Sequence, residues 1–257
     1  MSTPATGKRG RRRDRVHVEA PLEPGARIVL PDPAAQHLLR VLRLREGDDC
    51  VLFNGDGNDY PSRIVAAGKR GGEVEIVGRE AVDNESPLPI TLVQGIARGE
   101  KMDLILQKAT ELGAVAFVPV SSQRSEVKLD PARAAKRLEH WRSVVASACA
   151  QSGRARVPAV QPPQPLGEAL DGLVAGGTGL LLDPFAPIGL DDISMPRAAG
   201  GFTVAVGPEG GWSDADRSAL QAAGFTGVRM GPRVLRTETA GFAAVAILQA
   251  RFGDLGR

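Results

Sequence analysis

The sequence predicts an α/β protein of two domains: a small unit built mainly of strands, then a larger one in which strands and helices alternate. Three observations carry this. A chain of 257 residues is long for one core and comfortable for two domains. The stretch Asp83-Asn84-Glu85-Ser86-Pro87-Leu88-Pro89 is polar and holds two prolines, so residues 83–89 read as a linker. Beyond it, short apolar runs alternate with helical periodicity, which implies a mostly parallel sheet covered on both faces.

Taken in order, residues 1–14 lack apolar periodicity and read as a basic, disordered arm. The first domain, 15–82, opens with a strand at Val16 and Val18 and a second at Ala26 to Leu30. Pro33 starts a short helix carrying Leu38, Leu39, Val41, Leu42 and Leu44. Strands follow at Cys50 to Phe53, Tyr60 to Ala66 and Glu73 to Val77, with turns at Asn54-Gly55 and Gly71-Gly72. The second domain, 90–257, is expected to hold strands at Ile90 to Ala97, Val115 to Val120, Gly179 to Leu182, Phe202 to Val206 and Gly227 to Met230. Its helices are expected at Lys101 to Leu112, Pro131 to Gln151, Ser213 to Ala223 and Thr239 to Phe252. No internal repeat is apparent.

Composition narrows the class. The apolar fraction is 42% and the charged fraction 24%, ordinary for a globular protein. No apolar run approaches the ~18 residues of a membrane span, and no secretory h-region is visible at the N-terminus. Cys50 and Cys149 cannot make a disulfide framework or a four-thiolate zinc site, which fits a cytoplasmic protein. His17, His37 and His140 show no metal-ligand spacing. Net charge is +2, yet residues 1–15 hold six Lys and Arg against one Asp. Such an arm can reach a polyanion; a solvated terminus is the alternative.

Two stretches concentrate chemistry. In Phe202-Thr203-Val204-Ala205-Val206-Gly207-Pro208-Glu209-Gly210-Gly211-Trp212-Ser213-Asp214-Ala215-Asp216 a buried-type strand meets a glycine-rich turn and then a helix. Ser213 with Asp216 forms a capping-box pattern, and the glycines allow backbone groups close to a ligand. The end of a strand in an open α/β sheet is the default crevice. The turn matches neither phosphate-loop nor dinucleotide patterns. In Met230-Gly231-Pro232-Arg233-Val234-Leu235-Arg236-Thr237-Glu238-Thr239-Ala240 two arginines, a carboxylate and two hydroxyls crowd a second strand-to-helix connection. Capping by Thr237 and dipole matching by Glu238 account for part of it. Arg236 is left over, since a cation there opposes the helix dipole.

Gly-Pro-Glu-Gly-Gly-Trp-Ser at 207–213 with Gly-Pro-Arg-Val-Leu-Arg-Thr-Glu-Thr-Ala at 231–240 resembles the ribosomal RNA small subunit methyltransferase E family, of the SPOUT class. Lys101-Met102-Asp103, Gln107 to Gly113, Arg124-Ser125, Gln151-Ser152-Gly153-Arg154 and His37 to Arg43 extend the resemblance from about Arg15 to Leu255. Asp216 stands where the family usually has glutamate and Met230 where it has leucine; the arm at 1–14 lies outside the pattern.

The resemblance implies a PUA-like β-barrel domain followed by a SPOUT domain with a C-terminal trefoil knot, acting as a cytoplasmic homodimer away from membranes. It implies S-adenosylmethionine as methyl donor, with no metal. It implies Leu182, Gly207, Pro208, Glu209, Gly210, Gly211, Met230, Gly231, Val234 and Leu235 as cofactor-binding positions. The implied reaction methylates N3 of a decoding-region uridine in 16S rRNA, as naked RNA or within the 30S subunit. From residue type, Arg236 suits stabilisation of the deprotonated uracil, and Glu238 suits the base, with Glu209 in reserve. Arg15, Arg40, Arg43, Arg98, Lys101, Arg124 and Arg154 are the candidate RNA contacts. Arg133, Lys136, Arg137 and His140 form a basic helix face that can equally be solvated. Aromatic residues are too few for a stacking platform, which leaves phosphate and shape recognition. Methylation of a ribose 2′-oxygen at another RNA site, or a non-catalytic role in ribosome assembly, remain alternatives.

Overall fold

The computed structural model describes residues 14–68, 71–127, 130–174, 176–196 and 200–256. The basic arm, Asp14 apart, lies outside the described residues. Two compact units form, one up to Asp83 together with Gly153–Arg156, the other Asn84–Ser152 with Val157 onward.

The first unit is a sheet. Its strands are β1 (Arg15–His17), β2 (Arg27–Val29), β3 (Asp49–Phe53), β4 (Asn58–Gly68), β5 (Gly71–Ile76) and β6 (Glu80–Ala81), hydrogen-bonded in the order β1-β3-β4-β5-β2 with β6 on β4. Only the β1–β3 pair is parallel. Alternation sets the faces: in β5 Gly72, Val74 and Ile76 are buried while Gly71, Glu73 and Glu75 are partly exposed. Gly71 and Gly72 pair with Gly68 and Ala67, so they extend the hairpin strand instead of making its turn. Helix α1 (Asp32–Ala35) runs into a π-helical turn, Gln36–Val41, and Leu38 is fully buried beneath it.

The second unit is a parallel sheet between helices. It comprises β7 (Ile90–Gly95), α2 (Lys101–Glu111), β8 (Ala116–Ser121), α3 (Pro131–Ser152), β9 (Ala159–Val160), β10 (Gln164–Pro165), α4 (Leu166–Ala169), β11 (Thr178–Leu182), β12 (Phe202–Val206), α5 (Asp214–Ala222), β13 (Phe225–Val228) and α6 (Thr237–Phe252). The order is β10-β8-β7-β12-β11-β13, with β9 on β8, all parallel. Neighbouring residues of one strand serve opposite cores, as a two-residue repeat with both faces covered requires. Leu92, Phe117, Leu180 and Val204 pack with Met102, Ile105, Trp141, Val145 and Val245 from α2, α3 and α6. Val93, Val118, Leu181 and Ala205 pack with Leu166, Ala169 and Leu220 from α4 and α5.

Further details differ from the sequence reading, and α6 begins two residues early, at Thr237. The last strand begins at Phe225, because Phe225 and Val228 are its buried positions and pair with Gly179 and Leu182. Met230 therefore lies beyond the sheet. Within 83–89, Leu88 is 1% exposed and Ser86 Oγ donates to Gln249 Oε1 at 2.6 Å, so that part is packed structure of the second unit. The short β9, β10 and α4 carry no periodicity long enough to read.

Candidate active site

The central strand β12 is buried along its whole length and delivers its carboxyl end into the glycine turn. The Gly211 N–H donates to Pro208 O at 2.8 Å, and Gly211 holds φ +68°, a left-handed conformation that favours glycine. Close approach shapes the other side: a Cβ on Gly95 would sit 2.5 Å from Pro208 Cδ and N. Beyond the turn the capping box forms, with the Asp216 N–H donating to Ser213 Oγ at 3.1 Å and the Ser213 N–H to Asp216 Oδ2 at 2.9 Å. Helix α5 thus starts at a fixed point behind the turn.

A cleft of about 450 Å³ opens where the ends of β11, β12 and β13 meet the start of α6. Of the expected cofactor positions, Leu182, Gly207, Pro208, Glu209, Gly211, Met230, Val234 and Leu235 line it, as do Arg236 and Glu238. Gly210 and Gly231 do not line it. A Cβ on Gly210 would meet Arg124 Cβ and O at 3.0 Å, so that glycine faces the loop after β8. Gly231 is exposed with φ +66° and turns the chain toward Leu235.

Sequence reasoning missed several lining residues, notably Trp212, Arg217 and Thr237, while Asp183 lines the cleft next to the expected Leu182. Arg217 Nη1 donates to Asp183 Oδ2 at 3.1 Å, a pair joining α5 to the end of β11. Trp212 lay within the motif, but nothing marked its side chain as a wall. Three lining residues hold a buried polar atom without a partner: Trp212 Nε1, Arg217 Nε and Glu238 Oε2. Such atoms carry a free-energy cost unless a ligand or water meets them.

The glycine turn is braced from outside. Glu209 Oε1 accepts from Lys101 Nζ at 3.0 Å and from the Arg98 N–H at 3.1 Å. Arg124 Nη1 donates to Gly210 O at 3.4 Å. Partial burial opposes ionisation of Glu209, but hydrogen bonds from the Arg98 and Glu209 N–H groups and from Lys101, with the Lys101 charge, outweigh it and hold the carboxyl below its ordinary value. A carboxylate so stabilised is a weaker base than an unbonded one, and Glu209 is engaged in bracing the turn.

The expected RNA contacts divide. Arg98, Lys101 and Arg124 surround the glycine turn; the Arg98 guanidinium pairs with Glu126. Arg40 and Arg43 are exposed in the first unit. Arg43 has φ +59°, the single non-glycine residue with positive φ among those described. Arg15 and Arg154 differ from these in being buried, at 9% and 5% exposed. Arg15 forms two hydrogen bonds to Asp59, at 3.1 and 2.5 Å, donates to Arg154 O and lies 4.6 Å over the Phe53 ring. These contacts tie β1 to β3, β4 and the Gly153–Arg156 segment within the first unit. On the helix face, Arg133 pairs with Asp130 and His140 with Asp103. Among the described residues, no group of three or more His, Cys, Asp or Glu is arranged to hold a metal, and no helix is long and apolar enough to cross a membrane.

Fold and cleft together define an RNA methyltransferase with a PUA domain: the family model for the RNA methyltransferase domain matches residues 84–249, and that for the RNA methyltransferase PUA domain matches 30–77. Ribosomal RNA small subunit methyltransferase E of Mycobacterium tuberculosis is 35% identical over 243 residues, 92% of each chain. That of Bacillus subtilis is 29% identical over 82% of this chain and 85% of its own. The crystal structure of the Neisseria gonorrhoeae enzyme of that name, bound to S-adenosylmethionine, superposes with a TM-score of 0.86 at 41% identity, over 95% of this chain and all of the other. A Legionella pneumophila methyltransferase solved with the same cofactor gives 0.88 at 35% identity, with the same coverage. The chain belongs to the ribosomal RNA small subunit methyltransferase E family.

Proposed function

We propose that this protein uses S-adenosylmethionine to methylate N3 of a uridine in the decoding region of 16S rRNA. The observation that carries the proposal is the convergence of the glycine turn with Arg236 and Glu238 on one cleft. The family and the cofactor bound in its solved members support the same reading.

The residues present fit the cofactor. The cleft falls within the size range of small-ligand sites. Leu182, Val206, Val228, Met230 and Leu235 supply apolar walls, and Trp212 Nε1 and Glu238 Oε2 await polar partners. Gly207, Pro208, Glu209, Gly211 and Val234 complete the lining, while Gly210 and Gly231 shape its loops. When bound, the cofactor supplies an electrophilic methyl group. Uracil N3 carries a proton and attacks only once that proton has gone. Glu238 keeps a carboxylate oxygen buried and unpartnered, so it can accept the proton. Arg236 is exposed at the cleft and can fork onto a uracil oxygen or a phosphate while negative charge develops. Lys101, Arg98 and Arg124 around the turn, with Arg40 and Arg43, are the cations placed to hold RNA phosphates.

The same reading makes the protein a cytoplasmic homodimer acting on 16S rRNA, free or in the 30S subunit. Phe185 is 81% and Val234 73% exposed on loops bordering the cleft, apolar surface that a second copy would cover. The C-terminal trefoil knot also belongs to this reading. It is consistent with the pairing of Gly189 with Arg229 and the hydrogen bond from the Asp183 N–H to Val228 O, which set the segments after β11 and β13 side by side.

The test is direct. Unmodified 16S rRNA and 30S subunits are incubated with labelled cofactor, and the modified nucleoside is mapped by digestion and mass spectrometry. The expected product is 3-methyluridine in the decoding region. A ribose-methylated nucleoside would move the chain to the 2′-oxygen class. No transfer and no cofactor binding would leave an assembly role.

A further inference from the structure

Thr237 lies between Arg236 and Glu238 in the chain, and all three line the cleft. It is the first residue of α6, whose N-cap position is filled by Arg236 without a side-chain cap. A threonine near a helix start ordinarily turns its oxygen to its own helix's free N–H groups. Here the hydroxyl turns away. It donates to Gly207 O at 2.5 Å and accepts from Gln94 Nε2 at 3.0 Å.

Gln94 is fully buried near the end of β7, and its Nε2 also donates to Gly95 O at 2.9 Å. Both amide protons are thus committed. A flipped amide would set its oxygen against the Gly95 carbonyl, so the orientation is determined by the acceptors around it. Because Gln94 donates to Thr237 Oγ1, the single hydroxyl proton is left for Gly207 O. The bonds run in one direction, from Gln94 through Thr237 to the first residue of the glycine turn. The Gly95–Pro208 contact holds the two strand ends together beside them. Gln94 Oε1 is buried without a partner, a cost the protein tolerates at this point.

We infer that Thr237, oriented by Gln94, is a positioning residue that sets the glycine turn in register with Arg236 and Glu238. The inference rests on the reading of the cleft given under Proposed function. Its signature is that one hydroxyl affects cofactor binding and turnover together. The turn holds one reactant and the start of α6 the other, and small misplacement of a reacting pair is costly.

The experiment compares Thr237→Val, Thr237→Ser, Gly211→Val and Arg236→Ala in the full-length protein. S-adenosylmethionine affinity is read by calorimetry, kcat and KM with unmodified 30S subunits, and folding by thermal melting. Thr237→Val leaves the Gly207 carbonyl without its donor and should raise the cofactor Kd and lower kcat by roughly tenfold each, the scale of a lost buried hydrogen bond. Its KM for 30S subunits should stay unchanged. Thr237→Ser should restore both values. Gly211→Val should act on Kd, and Arg236→Ala on kcat alone. The inference is overturned if Thr237→Val changes neither value while Gly211→Val weakens binding, or if Thr237→Ser is as defective as Thr237→Val. If Gly211→Val and Thr237→Val both leave Kd unchanged, the cofactor reading itself fails and the inference falls with it. Should Thr237→Val not fold, Gln94→Met removes the orienting donor from the other side. It should shift Kd and kcat in the same directions, and an unchanged pair overturns the inference.

Discussion

Replacing Gly211 separates backbone conformation from steric obstruction. A Cβ at 211 would meet nothing within 4 Å, so the substitution has no local clash. The cost is the left-handed φ of +68°, about 1–2 kcal/mol for an L-residue and more for a β-branched one. That strain appears in one of two places. If the turn keeps its shape in the free protein, folding stability falls by the full amount. If the turn relaxes, stability is spared and the cofactor must restore the shape on binding. Glu209 and Gly210 are exposed, and the turn's own closing bond is the single one from Gly211 to Pro208, so relaxation is expected. Cofactor affinity should then fall roughly tenfold for Gly211→Ala, since 1.4 kcal/mol is a factor of ten. Gly211→Val should lose more and Gly211→Asn less, asparagine tolerating the left-handed region best. Melting temperature should drop by no more than ~2–4 °C, the shift that 1 kcal/mol produces in a domain of this size. Calorimetry with S-adenosylmethionine and thermal melts decide the matter. Equal affinities for the alanine, asparagine and valine variants would refute the conformational argument. Unchanged affinity with a large loss of stability would assign the turn to structure.

Arg236→Ala should retain cofactor affinity and lose about a hundredfold or more in kcat, with partial recovery in Arg236→Lys because an ammonium lacks the fork; near-normal turnover at saturating RNA would confine Arg236 to the surface. Glu238→Gln should have a defect that shrinks as pH rises and uracil loses its proton unaided; a defect independent of pH would make solvent the acceptor. The folded pKa of Glu209 is lowered, so its contribution to stability is present above the ordinary glutamate range and lost as pH falls through the folded value. Melting curves of the native protein and Glu209→Gln should therefore converge at acid pH, and a constant gap would contradict the bonding to Lys101 and Arg98. Arg15→Ala strands Asp59, whose side chain is 19% exposed, and should destabilise the first unit by roughly 3 kcal/mol. Arg43→Gly should relieve the left-handed strain, stabilising by about 1 kcal/mol, while weakening RNA binding; denaturant melts and filter binding at fixed salt distinguish the two effects.

Much of the architecture is legible in the sequence, because its causes are local. A two-residue alternation or a continuous apolar run names a strand, a 3.6-residue recurrence names a helix, and both survive whatever the rest of the chain does. Helix α3 begins at Pro131 as expected, and the Ser213–Asp216 box forms as written. The glycine turn was visible because its conformation demands glycine, and the two C-terminal motifs pointed to one family. The last strand was misplaced by two residues because Gly227 to Met230 has the same apolar character as Phe225 to Val228. Only pairing with β11 chooses between them.

Local sequence therefore dictates the order of elements, the composition of the two strand-to-helix turns and the chemistry available in them. The tertiary structure decided which side chain meets which. Arg15 reads as a cation beside a basic arm, yet Asp59, 44 residues on, claims it. Lys101 and Glu209 are 108 residues apart, and Thr237 reaches Gly207 across 30. Such partnerships depend on strand order and on which faces are buried, and no local rule fixes either. An arginine in sequence has many carboxylates within reach of a folded chain, and only the packed sheet brings one to 2.5 Å. For the same reason Arg236 and Glu238 were visible as unusual residues, whereas Gln94 and Thr237, which hold their segment against the glycine turn, became recognisable only when the ends of β7 and β12 met the start of α6.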